Sequence, residues 1–198
     1  MESNLGGKLP ECDGRIGGWF TANDGLAGTT QTPAPLPPSQ YAFPYYAPGA
    51  SGAGYAINSF GTTSTSASAW GALVGLSLND SGFGSEAYDA ESRGYVGVRF
   101  KARRSGTTTS TLRVEFADTY TDPGGGFCTT ACFDHWGTSI TLSSSWTTYT
   151  IYWTQLTSGT WGVPSMSFDP GGMFVIQWLF PPSVTFDIYI DDIEFITS

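Results

Sequence analysis

Residues 118–137 gather side chains able to do chemistry. Asp118, Asp122 and Asp134 bring carboxylates, His135 is the single imidazole of the chain, and Cys128 and Cys132 are two of its three cysteines. Tyr120, Phe127, Phe133 and Trp136 add aromatic rings. Connections between strands usually run to roughly 2–6 residues, so a polar loop of this length is either functional or tied down. Cys128 and Cys132 can bridge within the loop if their Cα atoms approach to ~5.5 Å. The alternatives are two free thiols, or a zinc site made of three Cys and His135. Cys12, in a turn-like segment with no second cysteine nearby, is expected to be a free thiol. Asp118, Asp122 and Asp134 form a second conceivable metal set.

Catalytic readings find little to stand on. One histidine excludes a histidine brace and His-rich zinc catalysis. A Ser-His-Asp triad would have to use His135, and no Gly-x-Ser-x-Gly elbow marks a nucleophile. A glycosidase places two carboxylates ~5–9 Å apart across the scissile bond. Glu115 and Asp118, three residues apart, fall on opposite faces of a regular strand. No glycine-rich loop followed by Lys-Ser or Lys-Thr is present to cradle phosphate. The chain is expected not to be an enzyme.

The elements that must position these groups read as strands. Leu112, Val114 and Phe116 alternate with Arg113 and Glu115; Val96, Val98 and Phe100 surround Arg99; Phe174, Ile176, Trp178 and Phe180 surround Gln177. Strands are expected near 18–21, 54–58, 67–78, 94–102, 111–117, 138–142, 147–154, 172–180 and 184–196, the last being central. Thr- and aromatic-rich runs broken by Gly and Pro favour strands, and helix-filling Leu, Lys and Glu are scarce. The expected fold is all-β, an antiparallel β-sandwich formed by 1–198 as a single domain. The Pro-rich stretch 31–54 cannot be a central strand and is expected to pack as a long loop through its tyrosines.

If the strands share one sheet, Arg99, Arg113, Glu115, Tyr152 and Gln177 point together away from the core. Guanidinium, carboxylate and amide groups make paired hydrogen bonds to vicinal hydroxyls, and Tyr and Trp faces stack on sugar rings. Trp70, His135 and Trp136 are expected at the rim of that face. An ordinary solvated sheet face is the competing reading.

Composition sets outer limits. With 198 residues, 40% hydrophobic, the chain can bury a full core, and its Phe, Tyr and Trp cannot all stay solvated. A net charge of −9 with only eight Lys and Arg argues against nucleic acid and against anionic membranes. No apolar run reaches membrane-spanning length. Residues 1–4 lack the character of a secretion leader, so the chain is either a cytosolic protein or a mature fragment whose leader was removed; the Lys-poor, Thr/Ser/Gly-rich and aromatic-rich composition fits a secreted bacterial module better.

Several segments carry a family likeness. Residues 14–25 with Gln31-Thr32-Pro33, residues 70–76, residues 118–123, Cys128, Cys132, residues 134–137 and the closing 188–195 together resemble secreted bacterial modules related to carbohydrate-binding module family 11. The closing strand resembles that of the wider galactose-binding-like superfamily. The resemblance implies a jelly-roll β-sandwich that binds a polysaccharide, such as cellulose, another β-glucan or a further cell-wall glycan, without cleaving it. It implies secretion, either as a monomer or as part of a larger protein. It also implies a structural calcium joining Glu2 to Asp191, with Asp192 as the alternative ligand. A structural or adhesive surface protein is the reading from another class.

Overall fold

The structure, a computed structural model, describes residues 8, 14–35, 45–46, 48–80, 86–162 and 167–198. The expectations for Glu2 and Cys12, and for residues 36–44 of the Pro-rich stretch, lie outside the described residues. The described residues form eleven strands: β1 Trp19–Asn23, β2 Thr30–Thr32, β3 Tyr45–Tyr46, β4 Ala56–Thr62, β5 Ala72–Ser77, β6 Tyr95–Arg104, β7 Thr111–Asp118, β8 Trp136–Thr141, β9 Thr147–Tyr152, β10 Met173–Phe180 and β11 Thr185–Thr197. They form two sheets. One runs β1-β5-β10-β7-β8 and the other β2-β4-β11-β6-β9, with β3 added beside β4. The pairings between these strands are antiparallel. This is the expected β-sandwich, and β11 is central to its sheet. β2 and β3 have too few residues to leave a period-two signature.

Alternation explains the core. Val98, Phe100 and Ala102 of β6, Leu112, Val114 and Phe116 of β7, Ile176, Trp178 and Phe180 of β10, and Phe186, Ile188 and Ile190 of β11 are all buried between the sheets. Ring contacts tie the two layers. Trp178 of β10 meets Phe100 of β6 edge-on at 5.3 Å, and Phe180 stacks on Phe186 of β11 at 4.4 Å. Trp19 stacks on Trp178 from the neighbouring part of its own sheet at 5.6 Å.

One position departs from simple alternation. The register of β10 on β7 shifts between Met173 and Val175. A bulge of this kind puts an extra residue on one strand and breaks the period of two. Met173 therefore joins the main core, and Phe174 sits with Val175 and Ala117 in a small outer cluster against Phe20. The expectation that Phe174 shares a face with Ile176 is corrected by this shift.

Among the described residues no helix is long and apolar enough to cross a membrane. Trp178→Ala is expected to destabilise the protein by about 3–5 kcal/mol, because it empties the junction of Trp19 and Phe100. The shift of the urea unfolding midpoint at constant slope measures it.

Candidate functional site

The outer face of the five-stranded sheet carries a row read directly from the registers. Phe20 of β1 lies opposite Gly75 of β5, Gly75 opposite Gln177 of β10, Gln177 opposite Glu115 of β7, and Glu115 opposite Gly137 of β8. Gly137 then bridges to Thr157, giving the row a sixth chain segment. At a strand spacing near 4.8 Å such a row runs about 24 Å across the sheet. The two glycines are spatial requirements. A Cβ on Gly75 would lie 2.1 Å from the Phe20 ring, which therefore rests on the bare backbone there. A Cβ on Gly137 would lie 2.9 Å from Arg113 Nε and 3.0 Å from Glu115 Cγ, so both side chains lean across it.

The centre of the row is a buried carboxylate. Glu115 is only 7% exposed. Gln177 Nε2 donates to its Oε2 at 2.6 Å and Arg113 Nε to its Oε1 at 3.1 Å. Arg113 Nη2 donates further to the carbonyls of Thr157 and His135. Burial pushes the Glu115 carboxyl above its usual range, against the pull of Gln177 and Arg113, and the charge of Asp134 adds to the rise. Arg113 keeps 24% of its side-chain surface. The result is a set of donors and acceptors held in place by one another, with a flat ring at one end.

The loop 118–136 closes one end of this face. Cys128 and Cys132 form a disulfide with Cα atoms 5.6 Å apart, so neither thiolate is left for zinc. Each of the three loop carboxylates is committed to backbone N–H groups. Asp118, fully buried, accepts from Tyr120, Thr121 and Asp169. Asp122 accepts from Gly124 at 2.7 Å, and Asp134 accepts from Gly159, Trp161 and Gly162. They do not converge, and among the described residues no group of three or more His, Cys, Asp or Glu could hold a metal ion. Phe127 and Phe133 stand out from this loop, both well exposed.

His135 is 4% exposed. A hydroxyl has one proton and two lone pairs. The Thr121 hydroxyl gives its proton to Asp118 Oδ1 at 2.8 Å and accepts from the Asp118 N–H. His135 Nδ1, 2.9 Å from Thr121 Oγ1, must therefore be the N–H donor. Burial drives the imidazole pKa down to about 4, against the attraction of Asp134. His135 supports the site through this buried network and through its carbonyl.

The expected face is thus split. Arg113, Glu115 and Gln177 come together, but Arg99 of β6 and Tyr152 of β9 lie in the other sheet. The grouping of all five on one face is corrected: the side-chain period shows that they point outward, while strand pairing places β6 and β9 in the opposite layer. Arg99 there pairs with Glu194 at 2.7 Å. Tyr152 is exposed opposite Gly97. Trp70 is also exposed, but in the turn joined to Asp24, at the far end of β5 from the row's loop. Trp136 faces inward from β8 and lines a recess with Trp153, Leu156, Phe168 and Pro170. Phe20, Phe133, Asp134 and Trp161 belong to the candidate site region without having been singled out for it. For Phe20 alone there was a signal, Gly75, a bare position inside an otherwise apolar strand that something must cover.

In β11, Asp191 Oδ2 accepts from Ala50 N at 2.7 Å and Oδ1 from Asp192 N at 2.8 Å. Each oxygen keeps a second lone pair, so Asp191 fits an oxygen-bound cation. Asp192 pairs with Lys101 at 2.8 Å, and an ammonium group in that place opposes a shared ion.

The fold is similar to that of several solved structures. The family 11 carbohydrate-binding module from Clostridium thermocellum, in complex with a β-1,3-1,4-mixed-linked tetrasaccharide, superposes with a TM-score of 0.61 at 15% identity, covering 97% of this chain and 95% of that one. The fold is that of the family 11 carbohydrate-binding modules. The family 11 module of the cellulosomal cellulase Lic26A-Cel5E of the same organism gives 0.60 at 15% identity, over 96% and 94% of the two chains. A family 30 carbohydrate-binding module gives 0.59 at 13% identity, over 90% and 92%. No protein-family model and no curated protein matches the sequence. The β-sandwich of family 11 is therefore present at an identity low enough that side chains must be argued one by one.

The buried imidazole makes stability depend on pH. In the unfolded chain His135 takes up a proton below about 6.5, while in the folded protein it resists until about 4. The unfolded state binds more protons in that window, so this contribution falls as pH falls, by roughly 3 kcal/mol in all. Glu115, Asp118 and Asp122 have carboxyls raised by burial and act in the opposite sense, relieving the folded state as they protonate. His135→Gln is expected to remove the first trend only. Unfolding free energies of both proteins between pH 7 and pH 4 should converge as pH falls.

Proposed function

We propose that this chain is a non-catalytic polysaccharide-binding module that takes a cell-wall glycan, a β-glucan foremost, along the outer row of the five-stranded sheet. The observation carrying this is the row itself: Arg113, Glu115 and Gln177 locked together in a flat, transverse line with the Phe20 ring at one end. A linear chain of hydroxylated rings matches such a line, since fixed donors and acceptors read hydroxyls and ring faces meet apolar faces. The family 11 fold supports the same reading. Glu115 is held by Gln177 and Arg113, and Asp134 by three backbone N–H groups, so both carboxylates serve to fix their neighbours in place. The module is secreted, acting as a monomer or within a larger extracellular protein, and engages neither nucleic acid nor membrane.

Affinity electrophoresis over β-glucan, xylan, mannan and soluble cellulose derivatives tests this. Retardation by at least one polymer without release of reducing ends is expected, and it should be little changed by salt, because an uncharged glycan brings no charge to be screened. Arg113→Ala and Gln177→Ala should each weaken binding by about 2- to 10-fold, as each hydrogen bond to a hydroxyl nets only ~0.5–1.5 kcal/mol. Parent-like binding by both variants would place the site elsewhere, and release of sugar would make the protein an enzyme.

The proposal includes a structural calcium held by Asp191 together with Glu2. A ligand that binds only the native state raises its stability by mass action. Chelation is expected to lower the Tm and added calcium to restore it. An unchanged Tm in both directions, with no metal found by elemental analysis, removes the ion.

A further inference from the structure

Beyond β8, a latched loop presents an exposed indole beside the row. Thr157 exchanges both backbone hydrogen bonds with Gly137, and its carbonyl accepts from Arg113. This seats the start of the loop directly against the Glu115 row. Four residues on, Trp161 is 62% exposed, the second most exposed of the large apolar side chains among the described residues. An indole so open on a chain that buries Trp19 and Trp178 in its core needs a reason to stay out. The reason is Asp134. Its Oδ1 accepts from Gly159 N at 2.7 Å, and its Oδ2 accepts from Trp161 N at 3.0 Å and Gly162 N at 2.9 Å. Asp134 is 7% exposed, and three backbone N–H groups of this loop converge on its carboxylate. Between the captured amides, Thr160 takes a φ of +68°, a conformation that a β-branched residue adopts only when its surroundings impose it. A Cβ on Gly159 would fall 2.4 Å from Asp134 Oδ1 and 2.9 Å from the Trp161 ring, so the indole lies back across a bare glycine with its other side to solvent.

We infer that Asp134 is a positioning residue which latches the 157–162 loop, so that Trp161 forms a stacking platform for a sugar ring just past the Arg113–Glu115–Gln177 row. This rests on the polysaccharide-binding reading and extends it by one subsite. The row reads hydroxyls near the centre of the bound chain. Trp161 covers the apolar face of a ring beyond the β8 edge, so it matters for long chains and little for short ones.

The experiment compares the parent with Trp161→Ala, Trp161→Phe, Asp134→Ala, Gly159→Ala and the Asp134→Ala/Trp161→Ala double variant. Affinity gels containing whichever of β-glucan, xylan or mannan retards the parent most give the affinities, with Arg113→Ala as reference. Trp161→Ala should lose about tenfold, Trp161→Phe should retain most of the binding, and Asp134→Ala and Gly159→Ala should each lose about as much as Trp161→Ala. The double variant should be no weaker than Trp161→Ala alone, since Asp134 acts through the indole. Iodide quenching should show a tryptophan protected by the polymer in the parent and not in Trp161→Ala. Trp161→Ala leaves the Asp134 hydrogen bonds to the backbone in place, so it decides the matter even if Asp134→Ala fails to fold. Parent-like binding by Trp161→Ala alongside weakened Arg113→Ala overturns the platform and keeps the row. Additive losses in the double variant overturn the latch. Parent-like binding by both Trp161→Ala and Arg113→Ala, or no retardation of the parent by any polymer, overturns the platform and the polysaccharide reading together.

Discussion

Everything on the outer face of the five-stranded sheet depends on keeping one buried carboxylate satisfied. Glu115 sits in the middle of a sheet with little water at hand, and its charge is costly there unless partners surround it. Gln177 from one side and Arg113 along its own strand supply those partners. Because Arg113 is so employed, it also reaches the Thr157 and His135 carbonyls, and thereby fixes the segment that extends the sheet past β8 and the residue that leads into it. Side chains that hold one another in this way are ordered in advance, which would lower the ordering cost of the proposed binding.

The same economy governs the loops. The chain is rich in Gly and Pro, and much of its backbone lies outside strand ladders, so many amide groups need acceptors. Asp118, Asp134 and Asp191 meet that need by taking backbone N–H groups from distant segments. The acidic residues of the 118–136 loop therefore act as clamps on backbone. This is why three carboxylates that look like a metal set in sequence point in three directions in space. The disulfide and the buried Thr121–His135 pair finish the task, holding exposed Phe127 and Phe133 on a loop that has almost no regular structure.

The opposite face shows what a sheet surface looks like when its polar groups are matched among themselves. Arg99 meets Glu194, Lys101 meets Asp192, and the Arg103 guanidinium lies 3.7 Å from the Tyr189 ring and 5.3 Å from that of Trp146. Ion pairs this exposed add little to stability. They leave charged groups paired across neighbouring strands, whereas the Arg113–Glu115–Gln177 row is sunk, flat and joined to an aromatic ring.

The sequence by itself determined what depends on local period. Leu112, Val114 and Phe116 against Arg113 and Glu115, or Ile176 and Trp178 against Gln177, alternate because successive residues of a strand face opposite ways. From that follow the strands, the sandwich class and the outward direction of each polar side chain. The Cys128–Cys132 bridge was also legible, because four residues of separation keep the two close. Only the tertiary structure decided which strands are neighbours. Gln177 and Glu115 meet across 62 residues of chain, while Arg99, nearer to Glu115 in sequence, enters the other layer. It alone decided that Phe174 leaves the core, since a bulge shifts period without altering composition. It alone decided that Phe20 covers Gly75 and that Asp134 holds Trp161, because both depend on pairings between segments that nothing local records.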